Sequence, residues 1–276
     1  MPLIDLDFSG RHVAVFGGTS GINFGIAEAF ARRGASVTVA SRRQENVDAA
    51  LARLREAGGR AAGFAADVRD FDAVARALES AVAAHGPIDV LVSGAAGNFF
   101  ASAAGMSANG FRTVVDIDLM GTFHVLRAAH AHLRKPGASV INVSAPQAVI
   151  PMRLQSHACA AKAGVDQLTR VLALEWGAEG VRINAIAPGP IDGTEGVKRL
   201  MAQDEAQRAQ VVASVPLQRF GTLEDIANLA LFLASPHAGF ISGAVIPCDG
   251  GGALESVKPM LEATGRQLAA QERAAS

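Results

Sequence analysis

Short β-branched apolar runs recur along this chain, separated by longer Ala-rich stretches dotted with charges at helical spacing. A run that is apolar at nearly every position is buried on both faces, and a parallel sheet covered by helices on either side provides that burial. The expected fold is therefore α/β, a doubly wound parallel sheet of about seven strands with helices on both faces. Strands are expected at His12 to Gly17, Ser36 to Ser41, Ala61 to Ala66, Ile88 to Ser93, Ala138 to Ser144, Val181 to Ala187 and Ala244 to Pro247. Half of the 276 residues are apolar, enough for the core of one large domain. No linker rich in Pro, Gly or Ser divides the chain, so one domain is expected over residues 1–254, with 255–276 as a helical or flexible tail.

The formal charge of -1, spread over both signs, gives no basic field for nucleic acid. Cys159 and Cys248 stand far apart without metal-ligand spacing, so no metal site is expected and a reducing compartment fits. The N-terminal segment has neither a charged leader nor an apolar core, and no run approaches the roughly 20 apolar residues of a membrane span. The end, QERAAS, is not a peroxisomal address of the Ser-Lys-Leu type. The expected location is cytoplasmic.

The first expected strand runs into Gly17-Gly18-Thr19-Ser20-Gly21-Ile22-Asn23-Phe24-Gly25 and then a helix. Glycines there let the backbone turn tightly and approach a pyrophosphate, for which the helix N-terminus supplies N–H donors and the positive end of its dipole. Gly17, Thr19, Ser20, Gly21 and Ile22 are the candidate contacts. After the second strand, where a carboxylate would select an unphosphorylated ribose, the chain has Ser41, Arg42 and Arg43, a hydroxyl and two guanidinium groups suited to a 2'-phosphate. NADP(H) is the expected cofactor. Asp67 and Val68, after the third strand, are placed to meet the adenine, with Asp67 equally suited to cap a helix. Ala95, Ala96 and Gly97 let a cofactor lie against the backbone. Pro188, Gly189, Pro190, Ile191 and Thr194 break the chain at the carboxyl edge of the sheet, where a nicotinamide and its substrate should meet.

From about Gly10 to Gly252 these residues resemble the short-chain dehydrogenase/reductase family, which implies a Rossmann fold. The family's three phosphate-binding glycines appear as Gly17, Gly21 and, in place of the third, Asn23, with Gly25 close by. Its catalytic tetrad of Asn, Ser, Tyr and Lys is half kept. Lys162 and Ser144 match, whereas Ala158 stands at the tyrosine position and Asp118 at the asparagine position. The chain contains no tyrosine at all, and Gln155 occupies the alternative tyrosine position seven residues before the lysine.

The segments Ala95 to Phe99, Asp116 to Phe123, Gln155 to Lys162 and Ala187 to Gly196 are similar to those of 2,4-dienoyl-CoA reductases, above all the peroxisomal type, which shares the aspartate and the missing tyrosine. The resemblance implies NADPH-dependent reduction of 2,4-dienoyl-CoA to 3-enoyl-CoA by hydride transfer to C5. Such a reaction spreads charge into a dienolate, so the protein must stabilise the thioester oxygen and deliver a proton to carbon. On this reading Lys162 binds the nicotinamide ribose and supplies positive charge, while Asp118 positions a proton-donating water. Asp249 is its neighbour by resemblance, or simply closes a turn. Ser144 orients substrate or satisfies local backbone groups. His157 is a second candidate for the proton, although it sits about 100° off the helix face shared by Ala158 and Lys162. The resemblance also implies substrate contacts at Arg42, Ser107, Asn109 and Arg199, cations being suited to CoA phosphates, and Phe99 is placed to line the acyl channel. The expected partners are an acyl-CoA thioester and further copies of the chain, in a dimer or tetramer formed through helices at Phe111 to Leu133 and Ser156 to Gly177. Two alternatives stay open: a reductase of another carbonyl or enoyl substrate, and a catalytically silent NADP-binding protein.

Overall fold

The structure, a computed structural model, describes residues 6–198 and 204–254, so Arg199 and the segment 255–276 lie outside the described residues. Seven strands form one sheet: β1 (His12–Phe16), β2 (Ser36–Ser41), β3 (Arg60–Ala65), β4 (Val90–Ser93), β5 (Ser139–Val143), β6 (Arg182–Pro188) and β7 (Val245–Cys248). Their order is β3-β2-β1-β4-β5-β6-β7, and every pair is parallel. The expected strands are all present. The largest shift is at Ile88, expected to open β4, which instead forms an isolated bridge with Leu133.

The helices are α1 (Gly21–Ala31), α2 (Gln44–Glu56), α3 (Phe71–His85), α4 (Ala108–Val115), α5 (Gly121–Ala129), α6 (Ser156–Trp176), α7 (Glu205–Ser214) and α8 (Leu223–Ala234). Alternation along the strands assigns them to two layers. Val13 and Val15 of β1 pack with Phe24, Phe30, Leu54 and Leu231 from α1, α2 and α8. Ala14 and Phe16 face Leu78, Leu126 and Leu172 from α3, α5 and α6 on the other side. The single helix expected over Phe111 to Leu133 is not continuous: α4 and α5 are joined by a π-helical turn, Asp116–Met120, with a short 3-10 segment at His130–His132. A π turn inserts one extra residue per bond and arises where a side chain must be re-aimed. Among the described residues no helix is long and apolar enough to cross a membrane, and no group of three or more His, Cys, Asp or Glu could hold a metal ion.

The sheet order reverses between β1 and β4, so a crevice opens at the carboxyl ends of these strands. The opposite edge is tied together by buried polar groups. Asp89 accepts from Arg11 (2.9 Å), Arg134 (2.6 Å) and the His12 backbone N–H (2.9 Å). The buried His12 ring meets Gly86 O at Nδ1 (2.8 Å) and Thr38 Oγ1 at Nε2 (3.0 Å). A carbonyl only accepts, so Nδ1 carries the proton and Nε2 accepts from Thr38. Burial pushes the His12 pKa down to about 4. The unfolded chain, with an ordinary histidine, therefore binds the extra proton between that value and its own pKa near 6.5. Stability from this site is complete above pH ~6.5 and drains away as pH falls toward 4, by an amount on the order of 3 kcal/mol. Denaturant unfolding at pH 7 and pH ~4.5 should show that loss in the wild type and a smaller one in His12→Asn, which cannot titrate.

Candidate active site

The crevice begins where β1 ends. Gly17 has φ +76°, and a Cβ there would lie 2.9 Å from the backbone of Ala95, so only glycine lets the two chain segments approach. Ser20 stands at the N-cap of α1 in extended conformation and makes no capping hydrogen bond. The Ser20 side chain therefore leaves the first N–H groups of α1 uncapped, an arrangement suited to an anion. Asn23, which replaces the family's third glycine, acts as a tie: its amide donates to Gly94 O (2.7 Å) and joins α1 to the exit of β4. Close helix packing passes to Gly25, where a Cβ would sit 2.9 Å from that of Leu223 on α8.

A cavity of about 280 Å³ occupies the crevice. Of the expected contacts, Gly17, Thr19, Ser20, Ser41, Arg42, Asp67, Val68, Ala95 and Ala96 line it, joined by Asn23, Asn46 and Ile117. The Asp67 carboxylate is held by Arg69 through both oxygens, which keeps its pKa below the usual carboxylate range. Arg43 does not line the cavity. It caps α2 through its backbone, and its guanidinium lies 3.5 Å from Glu45 rather than on the cavity. Ile22 packs against the core, and Ile191 is buried beneath Gly221, so both support the site from behind. Gly189 crosses so close to Asp249 that a Cβ would fall 2.6 Å from its Cα. Thr194 Oγ1 donates to Ile191 O (2.8 Å) and its methyl approaches Gly21, which brings the segment after β6 over the phosphate turn. A glycine cradle, uncapped helix donors, hydroxyls and the Arg42 guanidinium together fit a nicotinamide dinucleotide.

Beyond that cavity the π turn presents Asp118. Gly121 N–H bonds Asp116 O, and Thr122 Oγ1 donates to Asp118 O (2.7 Å), fixing the widened turn. The Asp118 carboxylate is buried; Oδ1 accepts from Gly97 N–H (2.7 Å) and Oδ2 faces Lys162 Nζ at 3.4 Å. Lys162 Nζ donates to Val143 O (3.0 Å) at the end of β5. Ala158, one turn earlier on α6, is buried and puts no proton donor at that position. The Ser144 hydroxyl donates to Asp166, again on α6, a residue that sequence reasoning missed although its spacing of four from Lys162 put it on the same helix face.

His157 lies where the helical spacing placed it, off that face. Its buried ring rests on Phe99 with centroids 4.4 Å apart, and burial holds its pKa below the ordinary value, so the ring is neutral near pH 7. Asp249 closes its own turn, its oxygens accepting the backbone N–H groups of Gly251 (2.9 Å) and Ala253 (2.7 Å). Phe99 bridges α4 and α6, its ring edge 3.3 Å from the space a Gly110 Cβ would fill. Ser107 caps α4 by accepting from Gly110 N–H (3.0 Å), and Asn109 is exposed in the following turn. A further amide network, also missed, links Asn98 and Gln147 to the same Gln155 oxygen (2.7 and 3.2 Å).

The family model described as enoyl-(acyl carrier protein) reductase matches residues 17–253. A Pongo abelii protein named peroxisomal 2,4-dienoyl-CoA reductase, (3E)-enoyl-CoA-producing, is 44% identical over 239 residues, 86% of this chain and 82% of that one. A Bacillus subtilis (strain 168) protein named "Probable 2,4-dienoyl-CoA reductase", (2E)-enoyl-CoA-producing, is 40% identical over 87% of this chain and 96% of its own. A solved dehydrogenase/reductase of Sinorhizobium meliloti 1021 superposes with a TM-score of 0.83 at 31% identity, covering 90% of this chain and 96% of that one. These matches cover most of the chain, and the chain belongs to the short-chain dehydrogenase/reductase family of oxidoreductases.

Proposed function

We propose that the protein is an NADPH-dependent 2,4-dienoyl-CoA reductase that adds hydride at C5 and protonates the resulting dienolate at C2 to give a 3-enoyl-CoA. The observation that carries this reading is the buried pair of Asp118 and Lys162 on a helix face whose tyrosine position is Ala158. Reduction of a carbonyl leaves an alkoxide that needs an acid at oxygen, and Ala158 cannot serve. Conjugate reduction leaves charge shared among the thioester oxygen, C2 and C4. The positive Lys162 lowers the cost of that charge, and Asp118 holds the water whose proton goes to carbon. NADPH, when bound, supplies the hydride. His157, neutral and covered by Phe99, supports the acyl channel rather than the proton route.

Arg42, Ser41 and Asn46 on the cavity wall support the choice of NADPH over NADH. The acyl-CoA is assigned to the side of Phe99, Ser107 and Asn109. The cytoplasmic location is part of this proposal; the Bacillus subtilis relative's name states no compartment, whereas the Pongo abelii relative's says peroxisomal. Assembly into a homo-oligomer is supported by apolar side chains left in water on α5, its preceding turn and α6: Met120, Phe123, Val171 and Leu174. Trp176 takes no part in that face, being buried against His130.

Three outcomes test these points. With 2,4-hexadienoyl-CoA, Asp118→Asn should lower kcat by about 100-fold or more, the usual worth of a positioned proton donor, and Lys162→Ala should lower kcat and weaken NADPH binding together. Activity unchanged in both variants would remove the mechanism. Arg42→Ala should cut the preference for NADPH over NADH by about 10- to 100-fold in kcat/KM, as expected for one hydrogen-bonded charge pair. Light scattering should give the mass of a dimer or tetramer, and Leu174→Glu should shift it toward the monomer.

A further inference from the structure

Val68 stands on the wall of the cofactor cavity, in the turn that follows β3. Just before it, the Ala66 N–H donates to Ser41 O (2.9 Å), which ties this turn to the residue next to Arg42. Arg42 is the cation offered to a 2'-phosphate, so the turn borders the adenosine end of the crevice. Both peptide planes that flank Val68 are fixed. The Asp67 carbonyl accepts the Asp70 N–H (3.0 Å), closing the turn, and the Val68 carbonyl accepts Nδ1–H of His124 on α5 (2.9 Å). A carbonyl only accepts, so the bonded Nδ1 carries a proton whatever the state of Nε2. The Val68 N–H, by contrast, has no acceptor among the described residues. A peptide plane is rigid, so fixing the carbonyls on either side fixes the direction of that donor too.

The sequence of α5 puts His124 where it can do this. Gly121 lies three residues earlier on the same helix face, and a Cβ there would meet the Val68 side chain at 2.6 Å. One face of α5 thus holds both the side chain and the carbonyl of Val68. The His124 ring is seated in turn against Phe71, which opens α3, with centroids 5.7 Å apart in an edge-on contact, and the Arg127 guanidinium lies over Phe71 at 4.8 Å. An apolar ring would fill the same seat. What histidine adds is the Nδ1 donor.

We propose that His124 is a positioning residue of the cofactor site: by holding the Val68 carbonyl it fixes turn 67–70 so that the Val68 N–H and side chain meet the nucleobase of the cofactor. The group recognised is a flat heteroaromatic ring with an acceptor nitrogen on its edge, as a purine has. The inference rests on the dinucleotide reading of the crevice and is independent of the acyl substrate.

Calorimetry with 2',5'-ADP, which carries only the adenosine half and its phosphates, tests it without turnover. His124→Phe keeps a ring against Phe71 and removes the donor; it should weaken 2',5'-ADP by about 5- to 10-fold, the worth of one hydrogen bond, and NADPH by the same factor. His124→Asn carries an amide N–H at the same distance from the backbone as Nδ1 and should restore both affinities to within about twofold of wild type. His124→Gln holds that amide one carbon too far out and should behave as the phenylalanine variant does, so the test stands where His124→Phe fails to fold. Unchanged 2',5'-ADP affinity in His124→Phe and His124→Gln, no recovery in His124→Asn, or a loss for NADPH well beyond that for 2',5'-ADP would each overturn the proposal. A wild type that binds neither ligand would instead remove the dinucleotide reading itself, and the role of His124 with it.

Discussion

Two opposite charges held out of water govern the carboxyl edge of this sheet. Asp118 and Lys162 are 2% and 7% exposed and 3.4 Å apart. Removing both from water costs several kcal/mol per ion, and their attraction offsets this only where the remaining lone pairs and protons are bonded. The Gly97 N–H and the Val143 carbonyl supply those bonds. The four participants come from the exit of β4, the π turn, the exit of β5 and α6. Each of these must be in register before the pair can be buried at all, and losing one partner leaves an uncompensated charge worth about 3–5 kcal/mol. The site and the fold are thus linked at a single point.

The π turn is what lets one helical segment serve both. On its far side Val125, Leu126 and Ala129 of α5 belong to the core beneath the sheet. On its near side α4 leans on α6 through Phe99 and Gly110. A regular helix would carry a single face through both regions, whereas the widened turn changes phase between them and points Asp118 at Lys162. Gly121 follows because a Cβ there would meet Val68 at 2.6 Å, which brings the cofactor cavity and the ion pair side by side.

The fold was legible in sequence because parallel strands buried on both faces read as unbroken apolar runs, and β2 was found to the residue. The glycine turn and its cavity were legible for a similar reason: close approach at Gly17 leaves no other residue possible. The π turn was not, since one inserted residue barely disturbs the apolar period of Phe111 to Leu133. Arg43 stands off the cavity because adjacent residues at a helix start point in different directions, and its guanidinium lies near Glu45. Asp166 went unnoticed for another reason. Its partner Ser144 is 22 residues away, and only the packing of β5 against α6 brings them together.

The absence of a tyrosine bears on where a proton can arrive, as well as on whether one can. Hydride at C5 leaves two carbons open to protonation: C2, which yields the 3-enoyl product, and C4, which yields the 2-enoyl product. Relatives at 44% and 40% identity carry names that differ in this respect, one (3E) and the other (2E). In this chain Ala158 offers nothing to the oxygen side of the substrate, and Ser144 has its proton committed to Asp166. On the proposed mechanism the one remaining source is the Asp118 side, beside a cation that keeps the dienolate charge close to the thioester oxygen. Charge drawn toward that end makes C2 the nearer basic carbon, which is why the 3-enoyl product is assigned.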